Sequence, residues 1–118
     1  MQTLATSADL EAALAAGVAL VFKNSMTCPI SAAARREMQA LLSRRPDAPL
    51  YVLDVHQGAR LSHDVVRRTS IAHESPQVIL FAGGEPVWHA SHYSIRVADI
   101  ERALDELERE ASSVEGQA

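Results

Sequence analysis

The chain has 118 residues, 47% of them hydrophobic, which is enough to bury the core of one domain but hardly of two. Its formal charge of -4 and its pI of about 5.7 exclude the general basic surface that binds nucleic acid. One cysteine cannot form an intrachain disulfide, and there is neither a secretory start nor an apolar run of membrane-spanning length. We therefore expect a cytoplasmic protein in a reducing compartment.

The first predicted element is a helix over residues 7–16. Thr6 and Asp9 match a capping box at its start, and Gly17 is a suitable residue to end it. The apolar residues of this segment share one helical face, as expected of a helix that packs on a core. They are Leu10, Ala13 and Leu14.

Two short apolar runs are predicted to be neighbouring parallel strands. Residues 18–22 and 50–55 are almost continuously apolar, which is typical of central strands that are covered on both faces. Between them a helix is predicted to begin at Pro29, because proline suits the first helical position. Its apolar stripe consists of Ile30, Ala34, Met38, Leu41 and Leu42. The segment 18–55 therefore predicts a β-α-β unit with a right-handed crossover.

The second half of the chain adds two helices and a hairpin. A helix carrying Leu61, Val65 and Thr69 is predicted, with Ser62 as its cap. Residues 77–81 and 86–90 flank the pair Gly83-Gly84, a pattern that predicts a β-hairpin. The closing helix has a buried stripe formed by Val97, Ile100, Leu104 and Leu107.

The predicted order of elements is α-β-α-β-α-β-β-α. A parallel pair followed by a hairpin and framed by helices indicates an α/β fold with a four-stranded mixed sheet. We expect one domain over residues 1–110. The polar residues 111–118 predict a frayed C-terminal tail.

The single cysteine, Cys28, lies where an apolar strand gives way to a helix. The first N–H groups of a helix have no partner within it, and their partial positive charge favours a thiolate over a thiol. Pro29 would hold the sulfur at the tip of a rigid element. Lys23 and the hydroxyls of Ser25, Thr27 and Ser31 would add stabilisation if they lie within reach of the sulfur, which the sequence does not establish. The alternative is that Cys28 is a small buried apolar residue without chemistry.

Ser31 stands where a C-x-x-C redox motif would have its second thiol. A hydroxyl one helical turn from the nucleophile cannot resolve a mixed disulfide by forming a second one. The sequence therefore predicts monothiol chemistry at Cys28, with the resolving thiol supplied from outside.

The order of elements is that of thioredoxin, and several motifs resemble the YtxJ-like monothiol bacilliredoxins over residues 4–107. The motifs are F-K-N-S at 22–25, T-C-P-I-S at 27–31, H-E-S-P-Q at 73–77 and S-H at 91–92. The resemblance implies a thioredoxin-like fold and a cytoplasmic disulfide reductase that needs no cofactor. It implies bacillithiol, a low-molecular-weight thiol, as the thiol substrate, and bacillithiolated proteins as clients. Cys28 would take the bacillithiol, and an external thiol or reductase would regenerate it.

Pro76 occupies the position at which thioredoxin-like folds carry a cis proline facing the active cysteine. We therefore expect the Ser75–Pro76 bond to be cis, although most X-Pro bonds are trans. The backbone of Ser75 would then be exposed to pair with an extended substrate segment.

The histidines do not predict a metal site, because one cysteine and scattered imidazoles do not match the ligand spacing of zinc. His73 and His92 are instead expected to brace loops near the site through hydrogen bonds. Resemblance to monothiol glutaredoxins leaves open an iron–sulfur or thiol-metal carrier, although Pro29 and Ile30 replace the residues usual after that cysteine. A non-catalytic binding module is the third alternative.

The predicted site has Cys28 as its nucleophile. The residues expected to bind substrate or shape the site are Ser25, Thr27, Pro29, Ile30, Ser31, His73, Ser75, Pro76 and His92. Bacillithiol carries carboxylates that an arginine near Cys28 would hold by a bidentate contact. The candidates Arg35 and Arg36 lie two turns along the helix, a distance that counts against them, so the sequence leaves this anchor unassigned.

Overall fold

A computed structural model describes residues 1–117, and the side chains of residues 1–112. Five strands and four helices alternate along the chain. The strands are β1 (Gln2–Thr3), β2 (Val18–Asn24), β3 (Leu50–Asp54), β4 (Gln77–Ala82) and β5 (Glu85–Ser91). The helices are α1 (Ser7–Ala15), α2 (Pro29–Arg44), α3 (Ala59–Thr69) and α4 (Val97–Gln117), and a 3-10 turn (His92–Ser94) precedes α4.

The sheet has the strand order β1-β3-β2-β4-β5. As predicted, β2 and β3 are parallel interior strands joined through α2, and β4 and β5 form an antiparallel hairpin. The prediction of four strands was wrong, because β1 pairs in parallel with β3 at the edge of the sheet. A strand of two exposed residues has no period for sequence analysis to detect, so only its partner defines it.

The two faces of the sheet carry separate cores. The side chains of β2 alternate between them, with Val21 packed towards α1 and α3 and Phe22 packed towards α2 and α4. Both side chains are fully buried. This two-sided cover explains why the strand is apolar at consecutive positions rather than at every second one.

The starts of α1 and α3 differ in how well the sequence predicted them. Around α1, the capping box is present, since Thr6 Oγ1 accepts from the Asp9 N–H and the Asp9 carboxylate accepts from the Thr6 N–H. For α3 the Ser62 cap was wrong, because the helix begins at Ala59 and Ser62 lies buried inside it. Gly58 precedes the helix, where a Cβ would approach Leu53 Cδ1 to 2.6 Å. Close packing on β3 therefore determines this start, and no side-chain cap is used.

The last helix is longer than the sequence predicts. We expected helical structure to end near residue 110, whereas α4 continues to Gln117, and residue 118 lies outside the described part of the chain. The segment 97–115 contains neither glycine nor proline, and it is rich in alanine, glutamate and arginine, which favour helix. Among the described residues, no helix has the length and apolar character needed to cross a bilayer.

Candidate functional site

The candidate site lies at one end of the sheet, where β2 and β5 end and β4 begins. Lys23 of β2 is paired with Gln77 of β4, and Gln77 is paired with Ser91 of β5. The loop after β2, the loop before β4 and the turn after β5 therefore lie together at this end of the sheet. Cys28 lies in the first of these segments, as expected for a ligand site at the carboxyl end of a parallel strand.

Cys28 is the residue that precedes the first turn of α2, and Pro29 is the first helical residue. The side chain of Cys28 is half-buried, so it is accessible to a partner, and this argues against the alternative of a sealed apolar residue. The backbone N–H groups of Ser31 and Ile30 lower the pKa of the Cys28 thiol, and their effect exceeds the opposing cost of desolvation. The Ser31 hydroxyl lowers the pKa further by a smaller amount. The helix start thus favours the thiolate.

Ser31 is fully buried one turn after Cys28. Its Oγ accepts a hydrogen bond from the Ser25 N–H at 3.2 Å, and the Cys28 N–H donates to the Ser25 carbonyl at 3.5 Å. The hydroxyl therefore ties the start of the loop to the first turn of the helix. The position of a second thiol is filled by a group that shapes the loop and polarises the sulfur.

The same loop is held by Arg35, which the sequence analysis considered only as a carboxylate anchor, and by His56, which it did not place in the site. Arg35 Nη1 donates to Asn24 Oδ1 at 2.9 Å and to the Ser25 carbonyl at 3.3 Å. His56 Nε2 lies 2.9 Å from Ser25 Oγ. The sequence could have indicated His56 by its position: it follows β3, which is parallel to β2, so it lies at the same end of the sheet as Cys28.

The other predicted residues near Cys28 take different environments. Thr27 is exposed, with its Oγ1 at 3.4 Å from Ser25 Oγ, and Pro29 is exposed at the helix start. Ile30 is half-buried on the first turn of α2. The side chain of Met26 is 64% exposed and provides an apolar surface beside the cysteine.

The Ser75–Pro76 peptide bond is cis, which confirms the prediction for this bond. Pro76 directly precedes Gln77 of β4, and its carbonyl accepts a hydrogen bond from the His92 N–H at 3.0 Å. His92 therefore braces the Pro76 loop through its backbone, while its side chain is exposed. Ser75 Oγ is buried without a hydrogen-bond partner among the described residues.

A buried polar pair lies beside this loop. Lys23, the one lysine of the sequence, is fully buried in β2, and its Nζ donates to Gln77 Oε1 at 3.0 Å. Burial lowers the pKa of Lys23 to about 8, while the charge of Glu74 opposes the shift. The sequence could not establish whether this lysine lies close to the sulfur of Cys28. In the structure its amine is hydrogen-bonded to the side chain of Gln77.

His73 lies in the loop before β4, where its Nδ1 is 3.1 Å from Ser62 Oγ. This contact connects the loop to α3. Desolvation lowers the pKa of His73, and the positive charge of Lys23 adds to the shift. Among the residues that the structure describes, no three His, Cys, Asp or Glu side chains are grouped so that they would hold a metal ion.

This arrangement provides one accessible thiol that is stabilised as a thiolate, and the sequence contains no second cysteine. A thiolate of this kind attacks disulfides and forms a mixed disulfide with one half of its substrate. Because the chain cannot displace that half internally, a second molecule must do so.

Comparisons with known proteins agree with this chemistry. Residues 2–100 match the sequence model of a family described as monothiol bacilliredoxin BrxC. A solved structure described as a candidate oxidoreductase with a thioredoxin fold is 35% identical, with a TM-score of 0.82 over 86% of this chain and 91% of that one. Thioredoxin of Fasciola hepatica is 19% identical, with a TM-score of 0.72 over 90% of this chain and 98% of its own. Mitochondrial thioredoxin 3 of Saccharomyces cerevisiae is 10% identical, with a TM-score of 0.71 over 90% and 94%. The fold is thioredoxin-like.

Proposed function

Because this chain belongs to the monothiol bacilliredoxin family, we propose that it removes bacillithiol from protein mixed disulfides through the Cys28 thiolate. The observation that carries the proposal is the half-exposed sulfur of Cys28 at the start of α2, where backbone N–H groups lower its pKa. Ser31 at the position of a second thiol supports the monothiol form of the reaction.

The first step is an attack by the Cys28 thiolate on the bacillithiol sulfur of a modified client. A disulfide bond forms between Cys28 and bacillithiol as the bond between bacillithiol and the client breaks. The client sulfur leaves as a thiolate and takes a proton from solvent, so the client cysteine is reduced and Cys28 is oxidised.

The second step regenerates the protein. A thiolate of an external low-molecular-weight thiol or reductase attacks the bacillithiol sulfur that is bound to Cys28. A new disulfide forms between the two external sulfurs, and Cys28 leaves as the thiolate that the helix start stabilises. The partners are bacillithiolated proteins, bacillithiol and the external reductant, in a cytoplasmic setting that keeps thiols reduced.

The surroundings of Cys28 have distinct proposed roles. Ser25 and Ser31 position the loop and the sulfur, and Thr27, Pro29 and Ile30 form the surface at the helix start. Ser75, Pro76 and His92 form the opposite side of the site at the sheet edge, with His73 behind them. The exposed side chain of Met26 offers an apolar contact to a client protein.

The proposal is tested with a client protein that carries bacillithiol on a single cysteine. We expect the reduced protein to remove the bacillithiol mass from the client and to gain the same mass on Cys28, as measured by intact-mass and peptide mass spectrometry. Cys28→Ser should leave the client unchanged. Ser43→Ala, an exposed change on the same helix, should act like the native chain.

Two outcomes would contradict the proposal. One is a client that keeps its bacillithiol after prolonged incubation with the reduced protein. The other is a covalent complex between Cys28 and the client in place of the bacillithiol adduct, because this would show that the client sulfur is the one attacked.

A further inference from the structure

A groove of about 480 Å³ lies between α2 and the turn that joins β5 to α4. Ala33, Arg36 and Glu37 line it from α2, and His92, Tyr93 and Arg96 line it from the other side. Its volume is in the range of sites that bind small molecules. A ligand of that size, rather than a protein domain, is the occupant that fits.

One end of the groove lies near the end of the sheet at which Cys28 is located. His92, which lines the groove, donates its N–H to the carbonyl of Pro76. Pro76 directly precedes Gln77, which pairs with Lys23 of β2. Along α2, Ala33 follows Cys28 by five residues and Arg36 follows it by eight, which are axial distances of about 8 Å and about 12 Å. A small molecule whose sulfur is bonded to Cys28 therefore has the groove within its reach.

The charges of the groove favour an anion. Arg36 and Arg96 are exposed, and within the side chains described for residues 1–112 neither forms an ion pair or a hydrogen bond. Glu37 contributes one negative charge to the described lining. Two free guanidiniums opposite each other across a groove are suited to bidentate contacts with carboxylates.

Other arginines and grooves nearby are less suited to bind an anion. Arg35 is adjacent in sequence, but it is already bound to Asn24 and Ser25, so it is not free to bind a ligand. Another groove of about 540 Å³ lies between β5 and α4, and its described lining includes Arg102 and three carboxylates, those of Asp99, Glu106 and Glu110. Arg102 is paired with Asp99, so the remaining carboxylates make that second groove less favourable for an anion.

We propose that Arg36 and Arg96 bind the carboxylates of the low-molecular-weight thiol whose sulfur is exchanged at Cys28. The inference rests on the proposed function and adds to it the part of the chain that recognises the small thiol. The groove would hold the malate part of bacillithiol while its sulfur lies at the start of α2. Because the contacts are made to the small thiol, recognition would be the same for every client protein.

The experiment compares two symmetric disulfides that differ in the malate part, which carries the carboxylates: bacillithiol disulfide and the disulfide of cysteinyl-glucosamine, which lacks malate. The second-order rate constant for adduct formation on Cys28 is measured with each by mass spectrometry. The ratio of the two rate constants is the preference for malate, and it does not depend on the intrinsic reactivity of the sulfur. Reaction with hydroxyethyl disulfide, which is neutral, reports that reactivity separately.

We expect the native chain to prefer bacillithiol disulfide by about tenfold or more, a difference of about 1.4 kcal/mol shared between the contacts of two arginines. The double variant Arg36→Gln, Arg96→Gln should reduce the ratio to about one. Arg109→Gln, an exposed arginine about 20 Å further along α4, should keep the native ratio. High salt should lower the ratio of the native chain and leave that of the double variant unchanged.

Four outcomes would overturn the inference. A native ratio near one, with both disulfides reacting, would remove the groove as a malate site while the proposed function stands. An unchanged ratio in the double variant would place the carboxylate contact elsewhere. If the double variant slowed only the reaction with a bacillithiolated client, the arginines would contact the client. Failure of the native chain with both disulfides, but not with hydroxyethyl disulfide, would overturn the proposed function as well.

Discussion

The N–H of Ser25 donates a hydrogen bond to the Oγ of Ser31 at 3.2 Å, across the loop that carries Cys28. The buried hydroxyl thus does two things at the position of a missing second thiol. It fixes the path of the loop, and it lowers the pKa of the Cys28 thiol together with the backbone N–H groups of Ser31 and Ile30. The backbone N–H groups make the larger contribution to the lowered pKa, and the Ser31 side chain adds a smaller one while it leaves Cys28 without an internal resolving thiol.

Replacing Ser31 by alanine should make Cys28 less reactive near neutral pH. The pKa of the Cys28 thiol should rise, because the thiolate loses the hydroxyl as a hydrogen-bond donor. A higher pKa leaves less thiolate at a given pH, so alkylation by iodoacetamide at pH 6.5 should slow by about two- to fivefold. Ser43→Ala is the matched control on the same helix, and equal rates for both variants would contradict this role of Ser31.

Replacing Ser31 by cysteine should convert the site into an internal dithiol. Ser31 lies one turn after Cys28, at the spacing of C-x-x-C motifs, and two cysteines there can close a disulfide. After mild oxidation we expect thiol titration to find no free thiol in Ser31→Cys and one in the native chain. Two free thiols in the oxidised variant would show that the local geometry does not allow closure.

Replacing Arg35 by glutamine should loosen the loop from Asn24 to Cys28. The change removes the guanidinium that bonds Asn24 Oδ1 and the Ser25 carbonyl, a loss of about 1–3 kcal/mol for contacts to a charged group. Amide hydrogen exchange of residues 24–28 should become faster, and the rate of alkylation at Cys28 should change with it.

For the Arg35 variant, Arg109→Gln is the comparison, since both substitutions remove one arginine charge from a helix. Equal exchange rates at residues 24–28 in the two variants would show that Arg35 does not hold the loop.

Replacing Lys23 by methionine should change how stability depends on pH. Burial lowers the pKa of Lys23 from 10.5 to about 8, so the folded chain releases this proton at lower pH than the unfolded chain. Between about pH 8 and 10.5 the unfolded state binds more protons, and the free energy of unfolding should rise with pH. The total rise is about 2–3 kcal/mol for a shift of this size.

The measurement is urea unfolding of both chains between pH 7 and 10.5, followed by the fluorescence of Trp88, the one tryptophan. The other titrating groups, including Cys28, are common to both chains, so the difference between the two curves reports Lys23. Curves that run parallel across this range would contradict the prediction.

The sequence was a good guide wherever the structure repeats a local pattern. The capping box of Thr6 and Asp9 and the hairpin at Gly83–Gly84 depend on residues that are close in the chain. Both glycines of the hairpin have positive φ, 59° and 82°, as two-residue turns require. The sequence was a poor guide to β1 and to the start of α3, which depend on pairing with β3 and on packing against Leu53.

The candidate site shows the same division. The position of Cys28 before Pro29, and the presence of Ser31 in place of a second thiol, can be read from consecutive residues. The contacts of Arg35 and His56 with the loop could not be read from the sequence, because Arg35 lies further along α2 and His56 follows β3.

By itself, the sequence determined the nucleophile, the absence of a second cysteine, and the alternation of strands and helices that places Cys28 at a helix start. These features depend on residue identity and on periods of two and 3.6 residues, which act locally. Only the tertiary structure decided which arginines are free and which face the groove, and that Lys23 lies buried against Gln77. The physical reason is that burial and charge pairing are properties of the neighbours in space, and segments distant in the chain supply those neighbours.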